Sequence, residues 1–219
     1  MEASSVGSET RFDRDPAQGQ SAANRVSFVP SPIADPGPLG LAAFALTTFV
    51  LSMFNAGLVA KAGEPVVLGL ALAYGGLAQL LAGMWEFRTG NTFGAVAFTS
   101  YGAFWLSFWA FVQFYEKSVP AKDAGHAVGL YLIAWGIFTA YMFIASLRTT
   151  GAIALVFLLL AATFLLLGIG NAGTHPNIVK LGGYFGLATA LAAWYASFAG
   201  VTNATFGRTV MPVRPLIRR

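Results

Sequence analysis

The residues best equipped for chemistry are concentrated in one stretch, Glu86-Phe-Arg-Thr-Gly-Asn-Thr-Phe-Gly94. It places a carboxylate, a guanidinium, an amide and two hydroxyls, the densest polar chemistry of the chain, between two apolar runs. The runs 68–85 and 89–115 on either side contain no Asp, Glu, Lys or Arg. Such runs indicate membrane spans. We therefore expect Glu86 and Arg88 to lie at a membrane surface, paired with each other or bonded to helix ends, rather than in a soluble catalytic cleft.

The same stretch predicts a helix–turn–helix connection. Gly90 and Asn91 favour the end of one helix, and the Thr92 hydroxyl is expected to cap the next. Inside the following span a hydroxyl costs free energy unless it is paired or faces water. The hydroxyl-bearing candidates for a polar path there are Thr99, Ser100 and Tyr101.

Composition indicates a multi-pass membrane protein. The 219 residues are 56% hydrophobic and only 10% charged, against roughly 25% charged in soluble domains. The net charge of +4 comes largely from C-terminal arginines, so it is a topology signal and does not indicate a nucleic-acid partner. The chain has no cysteine, which excludes disulfides, thiolate catalysis and zinc binding by thiolates.

Six apolar runs approach the roughly 20 residues that cross a bilayer. They predict an all-α membrane protein with six transmembrane helices in one bundle, at about 39–60, 65–85, 93–114, 127–147, 151–170 and 178–201. We assign residues 35–212 to this domain, residues 1–34 to a disordered cytoplasmic tail and residues 213–219 to a basic cytoplasmic tail. Seven basic residues on the N-terminal side against four on the other predict that both termini are inside the cell.

Three predicted helices have a face of small or polar residues. The first helix carries Phe44, Thr48, Ser52 and Asn55 at steps of four, four and three; lining of a pore and hydrogen bonding between helices both fit this face. The second carries Gly76, Gln79, Gly83 and Glu86. In the last, Ala188, Ala192, Ala196 and Gly200 predict close packing of helices or protomers.

The predicted spans lack the groups that most membrane enzymes and pumps use. No ionisable residue lies near the middle of a span, and no nucleophile is accompanied by a base. His126 and His175 have no second ligand at metal spacing. We therefore predict no enzyme activity, no metal and no cofactor. Neutral hydroxyls, amides and rings remain, and they suit the passage of a small polar solute through an apolar constriction.

At these residues the chain resembles the succinate/acetate permease family, also called the acetate uptake transporter family. The matching motifs are Asp35-Pro-Gly-Pro-Leu-Gly-Leu41, Phe54-Asn-Ala-Gly57, Tyr74-Gly-Gly76, Ala78-Gln79, Gly90-Asn-Thr-Phe-Gly94, Ala97-Phe-Thr-Ser-Tyr-Gly102 and Phe206-Gly-Arg-Thr-Val210. They cover about 35–212, in the family's order. The resemblance implies a six-helix protomer in a homo-hexamer in the plasma or inner membrane, carrying acetate and related short carboxylates such as succinate, with protons as the coupled ion.

The resemblance also implies roles for particular residues. The family's apolar constriction falls on Phe44, Tyr101 and Leu160. Its entrance motif falls on Asp35, Pro36, Gly37, Pro38, Leu39, Gly40 and Leu41. This chain has Asp35 and Gly37 where the family usually has Asn-Pro-Ala-Pro, and Asp35 adds a negative charge where an anion would enter.

Three functions remain open at this point. The first is a transporter or channel for short carboxylates, which the residues favour, with Thr48, Ser52, Asn55, Gln79, Thr99 and Ser100 as the polar part of its path. The second is an ammonia or ammonium pathway, which some members of the family are proposed to be. The third is a membrane scaffold that transports nothing.

Overall fold

Six long helices make up the computed structural model, which describes residues 33–216. Each helix is long and apolar enough to cross a membrane: α1 (Gly37–Asn55), α2 (Lys61–Thr89), α3 (Thr92–Ser118), α4 (Ala121–Ser146), α5 (Gly151–Ala172) and α6 (Pro176–Phe206). The predicted all-α membrane protein with six spans is therefore confirmed. Nearly all of the predicted N-terminal tail, and the last three residues of the C-terminal tail, lie outside the described residues.

Glycines in the left-handed conformation explain where several helices end. Gly57, Gly90 and Gly207 have φ of +72°, +80° and +61°, a region that glycine reaches without the steric cost of a Cβ. Gly57 follows the end of α1, which is five residues short of the predicted residue 60. Gly207 lets α6 continue to Phe206 before the chain turns.

The start of α3 corrects one prediction. Asn91, and not Thr92, is the residue that caps this helix, because its side-chain oxygen accepts a hydrogen bond from the Gly94 N–H at 3.1 Å. Thr92 is already the first helical residue. Asparagine and threonine both cap helices well, so local preference alone did not decide between them.

The helices follow one another around a closed ring. The most extensive contacts join α1 to α6, α6 to α5 and α5 to α4, and α2 packs on both α1 and α3. Side chains close the ring between α3 and α4, where the Tyr101 hydroxyl meets the Thr139 hydroxyl at 2.9 Å. The centre of the ring is occupied mainly by aromatic and aliphatic side chains, including Phe44, Tyr101, Phe157 and Leu160.

Small residues on α6 allow it to approach α1 closely. A Cβ on Gly183 would overlap the backbone of Asn55 and Ala56, and a Cβ on Gly186 would overlap the Ser52 Oγ. Gly200, the glycine of the predicted small-residue face, also packs within the protomer, because a Cβ there would lie 2.8 Å from Pro38 Cγ. Of the alanines on that face, Ala196 is buried and Ala192 is half-buried against the core.

The segment after α6 folds back onto the turn between α4 and α5. The Gly151 N–H donates to the Arg214 carbonyl at 2.8 Å, and the Leu216 N–H donates to the Thr149 carbonyl at 3.1 Å. The side chain of Asn203 bonds to the backbone of Val210 and Met211. Residues 213–216, which the sequence placed in a tail, are thus attached to the helical bundle.

Candidate functional site

A cavity of about 310 Å³ enters the ring from the end where α2 and α3 meet; we call it the Glu86 pocket. Phe44, Tyr101 and Leu160, the three predicted constriction residues, all line it. Their rings and side chains are buried, and the ring centroids of Phe44 and Tyr101 are 5.9 Å apart. Sequence positions on three different helices are thus brought together around one space.

The entrance motif contributes four of its seven residues to this pocket. Asp35, Gly37, Pro38 and Leu41 line it, whereas Leu39 is exposed on the outside of the bundle. Asp35 Oδ1 accepts a hydrogen bond from the Gly37 N–H at 2.8 Å. The aspartate thus places a negative charge at the start of α1, where the helix dipole stabilises it.

The remaining two residues of the entrance motif, Pro36 and Gly40, do not line the pocket. Gly40 packs against the ring of Phe98, which a Cβ would approach to 2.6 Å, and Pro36 is buried. We infer that these two residues shape the start of α1 and do not contact a solute in the Glu86 pocket.

The hydroxyl of Tyr101 is committed to another helix. The Thr139 Oγ1 has one hydrogen and donates it to the Trp135 carbonyl at 2.7 Å. The 2.9 Å contact between Tyr101 and Thr139 therefore has the tyrosine hydroxyl as donor. Tyr101 presents the face and edge of its ring to the pocket, and its hydroxyl positions that ring.

Gln79 is the most buried of the polar side chains that line the Glu86 pocket. Only 1% of its surface is exposed, and neither its amide nitrogen nor its amide oxygen has a hydrogen-bond partner among residues 33–216. An unsatisfied buried amide costs about 1–3 kcal/mol. Gln79 comes directly after a π-helical turn at Ala73–Ala78, and such turns are frequent at functional sites. Gln79 therefore places an unpaired donor and an unpaired acceptor at the wall of the pocket.

Of the other predicted polar residues, Ser52 and Thr99 pack against glycines and Asn55 lines a second cavity, whereas Thr48 and Ser100 line neither cavity. Ser52 lies against Gly186, and Thr99 lies against Gly83, where an added Cβ would overlap its hydroxyl. The hydroxyls of Thr48 and Thr99 are buried without a partner in the described chain, but neither residue, nor Ser100, lines the Glu86 pocket. Of the first helix's polar face, the structure thus favours packing for Ser52.

Asn55 lines a second cavity, of about 260 Å³, at the opposite end of the ring; we call it the Lys61 pocket. Its wall includes Asn171 and Tyr131, and the ion pair between Lys61 Nζ and Glu64 Oε2, at 2.6 Å, lies at its edge. Neither Asn171 nor this cavity was predicted from the sequence.

An aromatic layer lies between the two cavities. The Phe164 ring stacks on Tyr101, which lines the Glu86 pocket, at 6.4 Å between centroids. It also meets Phe104, which lines the Lys61 pocket, at 5.2 Å in an edge-to-face contact. Sequence reasoning missed Phe164 too. The spacing along α5 could have identified it, because the residues that line the two cavities and the aromatic layer recur there at steps of four and three. They are Ile153, Phe157, Leu160, Phe164, Leu167 and Asn171.

The ion pair predicted between Glu86 and Arg88 at the membrane surface is wrong. Glu86 is 2% exposed, lines the Glu86 pocket and accepts hydrogen bonds at Oε2 from Asn91 Nδ2 at 2.9 Å and from the Thr89 hydroxyl at 3.2 Å. Arg88 points outward and is exposed. Bonding to helix-end residues was the correct alternative, because Gly94 leaves room for the carboxyl: a Cβ there would lie 2.7 Å from the Glu86 carboxyl carbon.

Comparisons with known proteins give this arrangement a family context. Acetate permease A of Emericella nidulans is 46% identical over 196 residues, which are 82% of this chain and 65% of that protein. Ammonia transport outward protein 2 of Saccharomyces cerevisiae is 43% identical over 184 residues, 80% of this chain and 65% of that protein. The chain thus spans about two thirds of the length of these fungal relatives.

Bacterial relatives match over nearly their whole length. The succinate-acetate/proton symporter SatP of Escherichia coli is 39% identical over 181 residues, which are 83% of this chain and 95% of that protein. The structure of the bacterial acetate channel SatP superposes with a TM-score of 0.77 at 39% identity, covering 83% of this chain and 99% of that one. These relatives carry the names of transporters and channels and not of enzymes.

A family model described as the GPR1/FUN34/yaaH family matches residues 18–218. The motifs that suggested the resemblance lie within that range, and so do all six helices and both cavities. This chain, a multi-pass membrane protein, therefore belongs to the GPR1/FUN34/yaaH family.

Proposed function

We propose that the protein is a permease for acetate and related short carboxylates, in which the solute passes between the Glu86 pocket and the Lys61 pocket. The observation that carries this proposal concerns Gln79, whose buried amide nitrogen and oxygen have no hydrogen-bond partner among residues 33–216. Gln79 lines the same pocket as Phe44, Tyr101 and Leu160. An amide N–H can donate to a carboxylate oxygen, and the apolar rings exclude water around the methyl group. The names of the relatives, acetate permease and acetate channel among them, support the same solute.

The constriction then acts on the charge and the size of the solute. Phe44, Tyr101 and Leu160 present hydrocarbon to a solute whose carboxyl group has an ordinary pKa near ~4.3. Such surroundings disfavour the anion relative to the neutral acid. Passage with a proton is therefore favoured, and proton coupling is part of the proposal. It agrees with the name of the Escherichia coli relative, a proton symporter.

The proposed assembly and location follow the same reasoning. We propose a homo-hexamer in the plasma or inner membrane, with both termini in the cytoplasm. Large apolar side chains such as Leu130, Ile144 and Phe198 are exposed on the outside of the single protomer. In a membrane, lipid or neighbouring protomers would cover these side chains. The excess of arginine at the end of the bundle that holds the Glu86 pocket supports the orientation.

Transport by purified protein in liposomes tests the function. Uptake of labelled acetate, corrected for protein-free liposomes, should require the protein and should increase with an imposed pH gradient. Leu160→Trp should fill the constriction and reduce the protein-dependent rate by about tenfold or more. Leu158→Trp is the matched control, because Leu158 lies two residues away on the same helix with half of its surface exposed. A Leu160→Trp protein that is folded and transports at the parent rate would contradict the proposed path.

An ammonium pathway is the second candidate, and one observation favours it. Asp35 and Glu86, both carboxylates, line the pocket where the solute enters, and carboxylates attract a cation. A relative named for ammonia transport is 43% identical. Labelled methylammonium in the same liposomes separates the two: we expect acetate and not methylammonium to show protein-dependent uptake that Leu160→Trp removes.

A further inference from the structure

Glu86 has an environment unlike that of any other charged residue in 33–216. It is the buried charged side chain of that part of the chain, and its carboxyl lines the pocket through which we propose that a carboxylate passes. A buried carboxylate facing an anionic solute disfavours binding, because like charges repel strongly where water is scarce. Its presence in the Glu86 pocket therefore needs an explanation.

The surrounding residues hold this carboxyl in one place. Asn91 Nδ2 donates to Oε2, the Thr89 hydroxyl shares its one hydrogen between Oε2 and the Glu86 backbone carbonyl, and neither contact involves Oε1. Oε1 lies toward the start of α1, where a Cβ on Gly37 would be 3.4 Å away from it. The glycine at position 37 and the glycine at position 94 both leave space that a side chain would fill. One oxygen is thus anchored, and the other is available for a proton.

A second group in the pocket points to a solute. Gln79 and Glu86 are seven residues apart on α2, which places them on the same face about 10 Å apart along the axis. Both line the Glu86 pocket, and the Gln79 amide has no partner within residues 33–216. A carboxylate entering the pocket meets Glu86 near the helix ends first and the Gln79 amide near the rings afterwards.

We infer that Glu86 carries the proton that accompanies each carboxylate. This inference rests on the proposed carboxylate transport and assigns its proton to a residue. Protonated Glu86 donates its O–H to the entering carboxylate, so that the two carboxyl groups share one proton and one negative charge. The O–H bond of Glu86 then breaks as an O–H bond forms on the solute, and the neutral acid crosses the aromatic layer.

At the pocket entrance, Glu86 recovers the proton that it has given to the solute. Glu86 is left as a carboxylate and takes a proton from the water at that entrance, so one proton moves with one carboxylate. A carboxylate moving in the opposite direction follows the same steps in reverse: the neutral acid returns its proton to Glu86 and leaves as the anion. No electron transfer and no other reactant is involved.

Within the described part of the chain, few other titratable groups lie near Glu86. Asp35, in the segment before α1, is the charged residue that interacts electrostatically with the Glu86 carboxyl. Tyr101 of α3 lines the same pocket deeper in the ring. From α5, the pocket is lined by Ile153 and other apolar residues, with Thr149 and Thr150 from the turn before it. Arg88 is exposed, and Arg148 and Arg214 do not line the pocket. Of the two carboxyl groups, only Glu86 is buried.

The pH dependence of acetate binding tests the inference on the full-length protein in liposomes. With equal pH on both sides, the KM for total acetate in counterflow should rise about tenfold per pH unit between about pH 6 and pH 8, because one proton must bind with each anion. In Glu86→Gln the side chain is neutral at every pH, so the anion binds without a proton and crosses, at a lower maximal rate, only after it has taken a proton from water. The KM of that variant should stay constant within about twofold over the same range.

Controls separate a specific role of Glu86 from a structural one. Glu86→Asp keeps a titratable carboxyl and should keep the slope, and Arg88→Gln changes an exposed charge two residues away and should also keep it. A folded Glu86→Gln protein whose KM still rises tenfold per pH unit overturns the inference, because the neutral acid would then bind without help from Glu86. If Glu86→Gln does not fold, the parent protein decides: a KM that is constant with pH while uptake persists overturns the inference. Absence of uptake overturns the proposed function instead.

Discussion

Tyr101 illustrates how a polar residue can act chiefly through its shape. Its ring lies within 6.4 Å, between centroids, of Phe44, Phe157 and Phe164. Its hydroxyl donates to Thr139 on α4 and so fixes the orientation of the ring. The hydroxyl thus joins α3 to α4, where the ring of helices has few backbone contacts.

Tyr101→Phe separates these two roles. We expect acetate flux within about twofold of the parent, because the ring remains, and a loss of about 1 kcal/mol of stability, because the Thr139 hydroxyl loses a partner. Parallel measurements of uptake and thermal unfolding in detergent check this. A large loss of uptake in a folded protein would instead assign the tyrosine hydroxyl to solute binding.

At the scale of the helix, α5 provides one continuous stripe along the centre of the ring. Ile153, Phe157 and Leu160 line the Glu86 pocket, and Leu167 and Asn171 line the Lys61 pocket. Steps of four and three residues keep these side chains on one face. Phe164 occupies the intervening position on that face, in contact with the aromatic rings of α3.

Phe164→Ala should therefore join the two cavities. We expect a higher acetate flux and uptake of larger carboxylates, because the ring that separates the pockets is removed. Loss of a buried ring should also cost about 3 kcal/mol of stability. Phe198→Ala is the control, since Phe198 is exposed on the outside of α6. Unchanged size selectivity in a folded Phe164→Ala protein would show that the narrowest point lies elsewhere.

At the scale of the whole molecule, the two ends of the ring carry different kinds of basic residue. The end with the Glu86 pocket has arginines (Arg88, Arg148, Arg208 and Arg214), and the opposite end has lysines (Lys61, Lys117, Lys122 and Lys180). Six spans place both ends of the described chain on one side. In the full sequence, Arg25, Arg218 and Arg219 raise the count on this side to seven basic residues against four, and this bias predicts that this side is the cytoplasm.

Cysteine labelling tests this orientation against a chain that has no native cysteine. In intact cells, a membrane-impermeant thiol reagent should label Lys117→Cys and should leave Pro215→Cys unlabelled until the membrane is opened. Both positions are exposed in the protomer. Labelling of Pro215→Cys from outside, with Lys117→Cys protected, would reverse the proposed orientation.

Hydropathy by itself determined the class of this protein, the number of its helices and their approximate positions. These properties depend on the local cost of placing polar groups in a bilayer, which each run of residues carries in its own composition. Helix ends were less accurate, because Gly57 and Gly207 set them through backbone conformation that hydropathy does not record. The resemblance to the family identified Phe44, Tyr101 and Leu160 as candidate constriction residues.

Only the tertiary structure decided which residues meet inside the ring. Neighbours from other helices determine that Ser52 and Thr99 pack against glycines. They also determine that the Gln79 amide has no partner among residues 33–216 and that the Phe164 ring separates two cavities. Glu86 shows the reason most clearly. Its sequence position suggested the membrane surface, but Asn91 and the space above Gly94 allow its carboxyl to be buried in the pocket. Burial of a charge is decided by all the groups around it, and those groups come from distant parts of the chain.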